Sequence, residues 1–272
     1  MTEASKVVLV SGGTFGIGRA ITLGLAQRGH SVVAFGLEAP QVSSTAQSAI
    51  PDLRAELSHR GLAAQLMEAD VSKAGDVAEV VDFALAHFGR VDAVVNNAAI
   101  GPLGTVLDTD EALFDRIMAV NLKGPYLTSR AVIPHMVRQG GGSIVNIGSG
   151  AGWGKPNMAA YSASKGGLVA LSAALAYDFL HDRIRVNTVI PGGGGIVSGM
   201  SLGRVGGDES RVGKGAPGTA AGRPASGDDV ANVVAFLLSA EAETLSGTVI
   251  DVGCFSHQGG PVPPKPSTTT AA

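Results

Sequence analysis

The chain is poor in cysteine, in histidine and in basic charge. Its 272 residues include one cysteine, Cys254, so no disulfide can form within the chain. The formal net charge is −3 and the isoelectric point about 6.1, which leaves no excess of cationic side chains for a nucleic-acid backbone or an anionic membrane surface. The 6 histidines show no pair at the spacing of metal ligands. We therefore expect neither nucleic-acid binding nor a metal centre.

Long apolar runs are also missing. The first residues, MTEASKVVLVSGG, contain an acidic side chain and only a short apolar run, unlike a secretory signal. No later stretch reaches the roughly 18 apolar residues of a membrane-spanning helix. The sequence thus predicts a cytoplasmic protein that does not act in a membrane.

What the chain does have is a regular alternation of two kinds of segment. Short runs rich in β-branched residues predict strands, and longer segments with helical spacing separate them. The predicted strands are Val7–Val10, Ser31–Phe35, Ala64–Met67, Val91–Val95, Ser143–Ile147, Arg185–Ile190 and Thr248–Val252. The predicted helices are Ile17–Arg28, Asp76–Phe88, Glu111–Arg138, Met158–Leu180 and Asp228–Leu238. This alternation predicts an α/β fold, a doubly wound, seven-stranded parallel sheet with helices on both faces.

Three stretches interrupt the alternation. Residues 192–227 hold 13 glycines and few large apolar side chains, which favours a mobile loop that binds substrate. Residues 39–50 have the composition of a polar surface insertion, and residues 256–272 form a Pro- and Thr-rich stretch typical of a flexible tail. The prediction is therefore one domain over residues 1–255, followed by that tail.

A glycine turn, SGGTFGIGRA, follows the first predicted strand. Gly12, Gly16 and Gly18 lead from that strand into a helix, whose unpaired N–H groups and positive dipole end can bind a pyrophosphate. The alternative is an ordinary tight turn in a chain with 39 glycines. The position between a first strand and a first helix favours dinucleotide binding.

The stretch YSASKGG, residues 161–167, places Tyr161 and Lys165 on consecutive turns of a predicted helix. Residues four apart lie on one helix face, about 5 to 6 Å apart at Cβ. A phenol ionises near pH 10, so a neighbouring ammonium must lower its pKa before it can exchange a proton at neutral pH. Coincidence is the alternative, and the small number of tyrosines, 3, makes it a poor explanation.

Six motifs together resemble the short-chain dehydrogenase/reductase family, over almost the whole chain up to about residue 253. They are the glycine turn with spacing GxxxGxG, NNAA at 96–99, VNLKG at 120–124, IVNIGS at 144–149, YSASK at 161–165 and RVNTVIPG at 185–192. The resemblance implies a Rossmann fold. Three features depart from the family pattern. Ala99 replaces a glycine, and the interval from Ser149 to Tyr161 is one residue shorter than usual. The turn after Pro191 carries two extra glycines before Ile196, and Ser198 takes the place of a threonine that contacts the nicotinamide amide in the family.

The resemblance also implies the roles of four catalytic residues. Tyr161 would act as general acid and base, and Ser149 would hydrogen-bond the substrate oxygen. Lys165 would in addition bind the nicotinamide ribose. Asn121 would hold a water that links Lys165 to solvent; the alternative is a buried asparagine that satisfies a neighbouring carbonyl. Ser149 could instead be an ordinary turn residue.

Dinucleotide contacts follow from the same resemblance. They are assigned to Gly12, Thr14, Phe15, Gly16, Ile17, Gly18, Gly36, Leu37, Glu38, Asp70, Val71, Asn97, Tyr161, Lys165, Pro191 and Gly192. Two of these residues have a structural alternative. Asp70 could be a helix N-cap, and Asn97 could stabilise the central strand.

The end of the second strand indicates which cofactor is bound. An acid there normally accepts hydrogen bonds from the ribose 2′-hydroxyl and repels a 2′-phosphate. Gly36 occupies that position, while Phe15 and Leu37 occupy the positions that are basic in NADP-binding members of the family. Glu38 could replace the missing acid, and no Arg or Lys lies between Arg28 and Arg54. These residues favour NAD over NADP.

The reaction implied by the resemblance is hydride transfer between nicotinamide and a secondary alcohol or ketone. The pocket would be bounded by mostly apolar stretches at 100–103, 150–158 and 192–205, which favours a hydrophobic or cyclic small molecule. The resemblance also implies a homo-oligomer, a tetramer in most members, assembled through the two long helices. The alternatives are a catalytically silent dinucleotide-binding regulator or scaffold, and a sugar-nucleotide epimerase.

Overall fold

The structure, a computed structural model, describes residues 4–38, 49–192, 196, 199–204, 206, 208–212 and 219–253. The tail predicted at 256–272 and most of the surface insertion predicted at 39–50 lie outside these residues. Within the described part of the chain, no helix has the length and apolar character needed to cross a membrane.

All seven strands lie in one parallel sheet, which confirms the predicted fold class. The strands are β1 Val7–Ser11, β2 Ser31–Gly36, β3 Ala64–Glu68, β4 Ala93–Asn96, β5 Gly142–Ile147, β6 Ile184–Ile190 and β7 Val249–Asp251. Their spatial order is β3-β2-β1-β4-β5-β6-β7. Chain order reverses between β1 and β4, so the carboxyl ends of these two strands flank the crevice where open α/β sheets bind ligands.

Helices cover both faces of the sheet. They are α1 Gly16–Gln27, α2 Ala49–His59, α3 Ala74–Phe88, α4 Glu111–Met118, α5 Gly124–Arg138, α6 Ala159–Asp178, α7 Gly199–Arg204 and α8 Gly227–Leu238. One buried apolar cluster joins the sheet to α1, α2 and α8. A second joins the opposite face to α3, α5 and α6. Because both faces are covered, strands such as β1 are buried along their whole length.

The helix predicted as one element over Glu111–Arg138 is three elements. Between α4 and α5 lies a π-helical turn, Ala119–Lys123, in which Asn121 is completely buried. A π turn contains one more residue than an α turn and so changes the direction in which side chains point.

Two further helices were not predicted. The apolar pattern of α2 is weak, with only Leu53 and Leu57 buried, and α7 lies within the glycine-rich segment 192–227.

Helix α6 packs unusually closely against the short 3₁₀ helix Gly150–Trp153 that follows β5. A Cβ added to Gly166 would lie 2.9 Å from the carbonyl oxygen of Gly152. A Cβ added to Gly152 would in turn lie 3.2 Å from the backbone of Lys165. Glycine at both positions therefore allows the two backbones to touch, which fixes the end of β5 against the first turns of α6.

We predict that Gly166→Ala destabilises the protein by about 1–3 kcal/mol, because the added methyl group meets backbone that cannot move aside. Gly75→Ala is the matched control. A Cβ at this glycine of α3 meets no atom within 4 Å, so the substitution should be neutral or stabilising by up to about 1 kcal/mol through helix propensity. Urea denaturation of both variants measures the difference. Equal stabilities would contradict the close packing.

Candidate active site

The glycine turn after β1 lies directly against the end of β4. Gly12 has a φ of +60°, and a Cβ on it would lie 2.9 Å from Cα of Ala98. Gly18, in the first turn of α1, has no room for a Cβ beside the carbonyl oxygen of Gly12. Gly12 is thus required by its backbone conformation and by the lack of space, and Gly18 by the lack of space alone. Together they bring the start of α1 to the crevice.

Asn97 fixes this arrangement from the neighbouring strand. Its Nδ2 donates to the carbonyl oxygens of Gly12, at 2.9 Å, and Ser11, at 3.2 Å. The Ser11 hydroxyl oxygen accepts from the backbone N–H groups of Asn97 and Ala98, at 3.1 and 3.2 Å. These contacts are those of a residue that stabilises the end of the central strand. The role of Ser11 was not predicted, because its partners are distant in sequence.

The N-terminus of α1 is free of side-chain caps. Its N-cap residue Phe15 makes no capping hydrogen bond, and the first turn contains no acidic residue. Gly16 begins the helix at a φ of +56°. The Ile17 side chain packs against the core, while Thr14 is buried within the turn. The helix dipole and the uncapped N–H groups fit a pyrophosphate.

The end of β2 lies beside this turn. A Cβ on Gly36 would lie 3.5 Å from Cα of Gly12, in ordinary contact. Leu37 is half exposed and Glu38 is partly buried. Arg19, on α1, forms an ion pair with Glu56 of α2. The two described side chains directly after β2 are thus one apolar group, Leu37, and one carboxyl group, Glu38.

Asp70 and Val71 follow β3 and make mainly structural contacts. Burial raises the pKa of Asp70, but hydrogen bonds from the Ser72 hydroxyl and backbone N–H outweigh it, and the pKa lies below its ordinary value. Helix α3 has Lys73 as its N-cap, so neither Asp70 nor Ser72 caps it. Val71 is buried, and its Cγ atoms lie 3.0 Å from where a Cβ of Gly124 would be.

Tyr161 and Lys165 project together from the start of α6. The Lys165 Nζ lies 5.9 Å from the centre of the Tyr161 ring and donates a hydrogen bond to the carbonyl oxygen of Ile147, at 2.8 Å. Both side chains are buried, with relative exposures of 6% for Tyr161 and 2% for Lys165. Burial lowers the pKa of Lys165 to about 8, since the charged ammonium loses hydration. At neutral pH the group is still largely cationic.

Asn121 clamps the loop that leaves β4. Its Oδ1 accepts from the backbone N–H of Ile100 at 2.9 Å, and its Nδ2 donates to the carbonyl oxygen of the same residue at 2.8 Å. Nδ2 also donates to the Ser164 hydroxyl, at 3.0 Å, and that hydroxyl donates to the carbonyl oxygen of Tyr161, at 2.7 Å. The side chain of Asn121 thus makes the contacts of a buried asparagine that satisfies a neighbouring carbonyl. Its part in a water relay stays a prediction.

Ser149 lies just beyond β5 and is partly buried. Its hydroxyl oxygen caps the 3₁₀ helix by accepting from the backbone N–H of Ala151, at 3.2 Å. Among the contacts of the described chain this hydroxyl acts only as an acceptor, so its hydrogen can be donated to another oxygen. Pro191 and Gly192 follow β6, with Gly192 buried. Ser198 lies outside the described residues.

Comparison with known proteins places the chain in a family. A protein-family model described as "Enoyl-(Acyl carrier protein) reductase" matches residues 12–254. The chain is 36% identical over 257 residues to "2-(S)-hydroxypropyl-CoM dehydrogenase 3" of Xanthobacter autotrophicus, covering 91% of this chain and 95% of that protein. It is 33% identical over 252 residues to "Dehydrogenase/reductase SDR family member 4" of Homo sapiens, covering 92% and 87%. The chain belongs to the short-chain dehydrogenase/reductase family.

The fold of this short-chain dehydrogenase/reductase matches solved structures over nearly its full length. The crystal structure of gox2181 superposes with a TM-score of 0.80 and 28% identity, covering 94% of this chain and 96% of that one. Membership supports an oxidoreductase activity and implies a nicotinamide dinucleotide as cofactor. The uncapped N-terminus of α1 and the glycine turn fit such a group.

We predict that Lys165→Met changes how the stability of this short-chain dehydrogenase/reductase depends on pH. The pKa of Lys165 is about 8 in the folded state and its ordinary value is 10.5, so the unfolded state binds more protons between these values. The cost of the buried ammonium is fully present below about pH 8 and disappears as pH rises toward 10.5. The gain in folding stability of Lys165→Met over the wild type should therefore be largest below pH 8.

Thermal melts from about pH 6 to about pH 10 measure this difference. Lys155→Met, which removes an exposed ammonium group, is the matched control and should run parallel to wild type. A gap between Lys165→Met and wild type that stays constant across this range would contradict the lowered pKa of Lys165.

Proposed function

We propose that the protein is an NAD-dependent dehydrogenase that interconverts a secondary alcohol and its ketone, with Tyr161 as general acid and base. The observation that carries this proposal is the buried Lys165 ammonium beside the Tyr161 ring, 5.9 Å from its centre. A positive charge in a poorly hydrated site stabilises an adjacent phenolate more strongly than the same charge in water.

Each residue of the site has a distinct part in the proposed reaction. In the oxidation direction, Tyr161 takes the hydroxyl proton of the alcohol while the carbinol carbon loses a hydride. Ser149 donates a hydrogen bond to the reacting oxygen and orients it. Lys165 stabilises the phenolate, and the hydrogen bond to Ile147 holds its ammonium in place. The nicotinamide, when bound, supplies the hydride acceptor or donor.

The cofactor would be held by residues at the carboxyl ends of β1, β2 and β4. The turn at Gly12 and the first turn of α1 would bind the pyrophosphate, and Lys165 would bind the nicotinamide ribose. Glu38, the acid that follows β2, would accept hydrogen bonds from the adenosine ribose. Arg19, the cation on α1 near this end of the sheet, forms an ion pair with Glu56. This balance of charge supports NAD over NADP.

The substrate class follows from one relative and from the surroundings of the site. A 2-hydroxypropyl group, named in the Xanthobacter relative, is a secondary alcohol with a methyl arm. Near the site, Leu103 and Trp153 are about half exposed and offer apolar surface. We propose an alcohol with one methyl arm and one larger, apolar arm.

A cytoplasmic location stays a prediction.

We also propose that the protein is a homo-oligomer, assembled through a groove of about 640 Å³ between α4, α5 and α6. Apolar side chains form most of its surface, and its lining consists of Asp115, Met118, Ala119, Leu122, Lys123, Tyr126, Gly167 and Leu171. An apolar surface along two long helices supports self-association. A tetramer is the expected state.

Leu171→Glu should reduce the oligomer to smaller species, because a carboxylate placed in this groove would lose its hydration on assembly. Light scattering coupled to gel filtration measures the mass. Leu180→Glu, at a position 57% exposed beyond the end of α6, is the control and should keep the wild-type mass. An unchanged mass for Leu171→Glu would exclude this groove as the interface.

Tyr161→Phe should lower kcat by at least about a thousandfold with every alcohol, because proton exchange is lost while the ring is kept. Its affinity for NADH should stay within about threefold of wild type. Trp153, the only tryptophan, allows that affinity to be followed through its fluorescence. The control is Tyr177→Phe, on the same helix but 82% exposed, which should keep full activity. Undiminished turnover by Tyr161→Phe would overturn the proposed mechanism.

A further inference from the structure

Gly101 lies in a narrow gap between Tyr161 and Met200. A Cβ on Gly101 would be 2.6 Å from the Met200 sulfur, 2.9 Å from Cδ2 of Tyr161 and 3.0 Å from its Cε2. The sulfur and the ring edge are thus both close to one point, and no side chain fits between them. The φ of Gly101 is not among the positive values, so the close approach rather than the backbone conformation requires glycine here.

Two separate parts of the chain build this contact. Asn121 holds the backbone of Ile100 through two hydrogen bonds, which fixes the adjacent Gly101 against the tyrosine ring. Met200 is on the first turn of α7, far from Gly101 in sequence. The Ser201 hydroxyl donates to the carbonyl oxygen of Ile196 at 2.9 Å and ties α7 to the segment after β6.

The contacted edge of the ring runs from Cδ2 to Cε2. Cε2 is bonded to the carbon that carries the hydroxyl, so groups against Cε2 limit the space on one side of that hydroxyl. A secondary alcohol hydrogen-bonded to the Tyr161 oxygen carries two carbon arms, and one of them must face the Cε2 side of the ring. The Met200 thioether and the backbone of Gly101 bound the space for that arm.

We propose that Met200 and Gly101 determine the size of the smaller arm of the substrate, restricting it to methyl or ethyl. This inference rests on the proposed function and adds to it the residues that select the alcohol. Met200 is the adjustable part, because a methionine side chain is flexible and its far end alone touches the gap. Gly101 is the fixed part, because a larger residue there would displace the tyrosine ring itself.

The test is a series of alcohols in which only one arm changes: 1-phenylethanol, 1-phenyl-1-propanol and 1-phenyl-1-butanol, with NAD. For the wild type, kcat/KM should fall by at least about tenfold from the methyl to the propyl arm, the usual effect of excess methylenes in a tight pocket. Met200→Ala should reduce that ratio by about tenfold, and Met200→Phe should increase it. A purely structural role of Met200 would lower all three values alike.

Two further variants complete the design. Gly101→Ala should lower kcat for the whole series, because its methyl group meets the tyrosine ring. Leu107→Ala removes an apolar side chain that is 93% exposed on the same loop and should leave the ratio unchanged. Circular dichroism establishes that each variant is folded.

The outcomes separate this inference from the proposed function. The inference would be overturned if the wild type turns over the series and both Met200→Ala and Met200→Phe keep the wild-type ratio of kcat/KM between the methyl and propyl arms. That result would leave the dehydrogenase assignment intact. A wild type with no turnover of any secondary alcohol or ketone, with either NAD or NADP, would overturn both. Opposite changes of the ratio in the two Met200 variants would support the inference.

Discussion

The ammonium group of Lys165 connects the end of strand β5 to the first turns of helix α6, and the rest of the site is arranged around it. Its hydrogen bond to Ile147, at 2.8 Å, and its position over the Tyr161 ring place one positive charge between sheet and helix. Burial of this charge is unfavourable for folding, as the lowered pKa indicates. The protein thus maintains a costly group where a phenolate would gain most from it.

Contacts between small residues and buried amides make that placement possible. Gly152 and Gly166 let the 3₁₀ helix after β5 touch α6 through backbone atoms. On the other side of the tyrosine, the π turn directs Asn121 inward, where it holds Ile100 and, through Ser164, the turn that carries Tyr161. The loop after β4 and the start of α6 are therefore held together by one connected set of hydrogen bonds.

Sequence patterns predicted the fold well because its strands are short apolar runs in a regular alternation. The pairing of Tyr161 with Lys165 was also predictable, since i and i+4 residues share a helix face. Other features could not be predicted. The π turn changes the helical period over only five residues, the helix α2 has few buried apolar positions, and the contact of Gly101 with Met200 joins distant parts of the chain. Such tertiary contacts leave no periodic signal in one sequence.

The pH titration of the Tyr161 hydroxyl tests the central claim most directly. Phenylalanine at positions 126 and 177 leaves Tyr161 as the only one of the 3 tyrosines, so the ¹³C resonance of its ring carbon bonded to oxygen reports its ionisation alone. With NAD bound, this tyrosine should ionise at a lower pH when residue 165 is lysine than in the Lys165→Met variant. The same titration midpoint in both proteins would contradict the account.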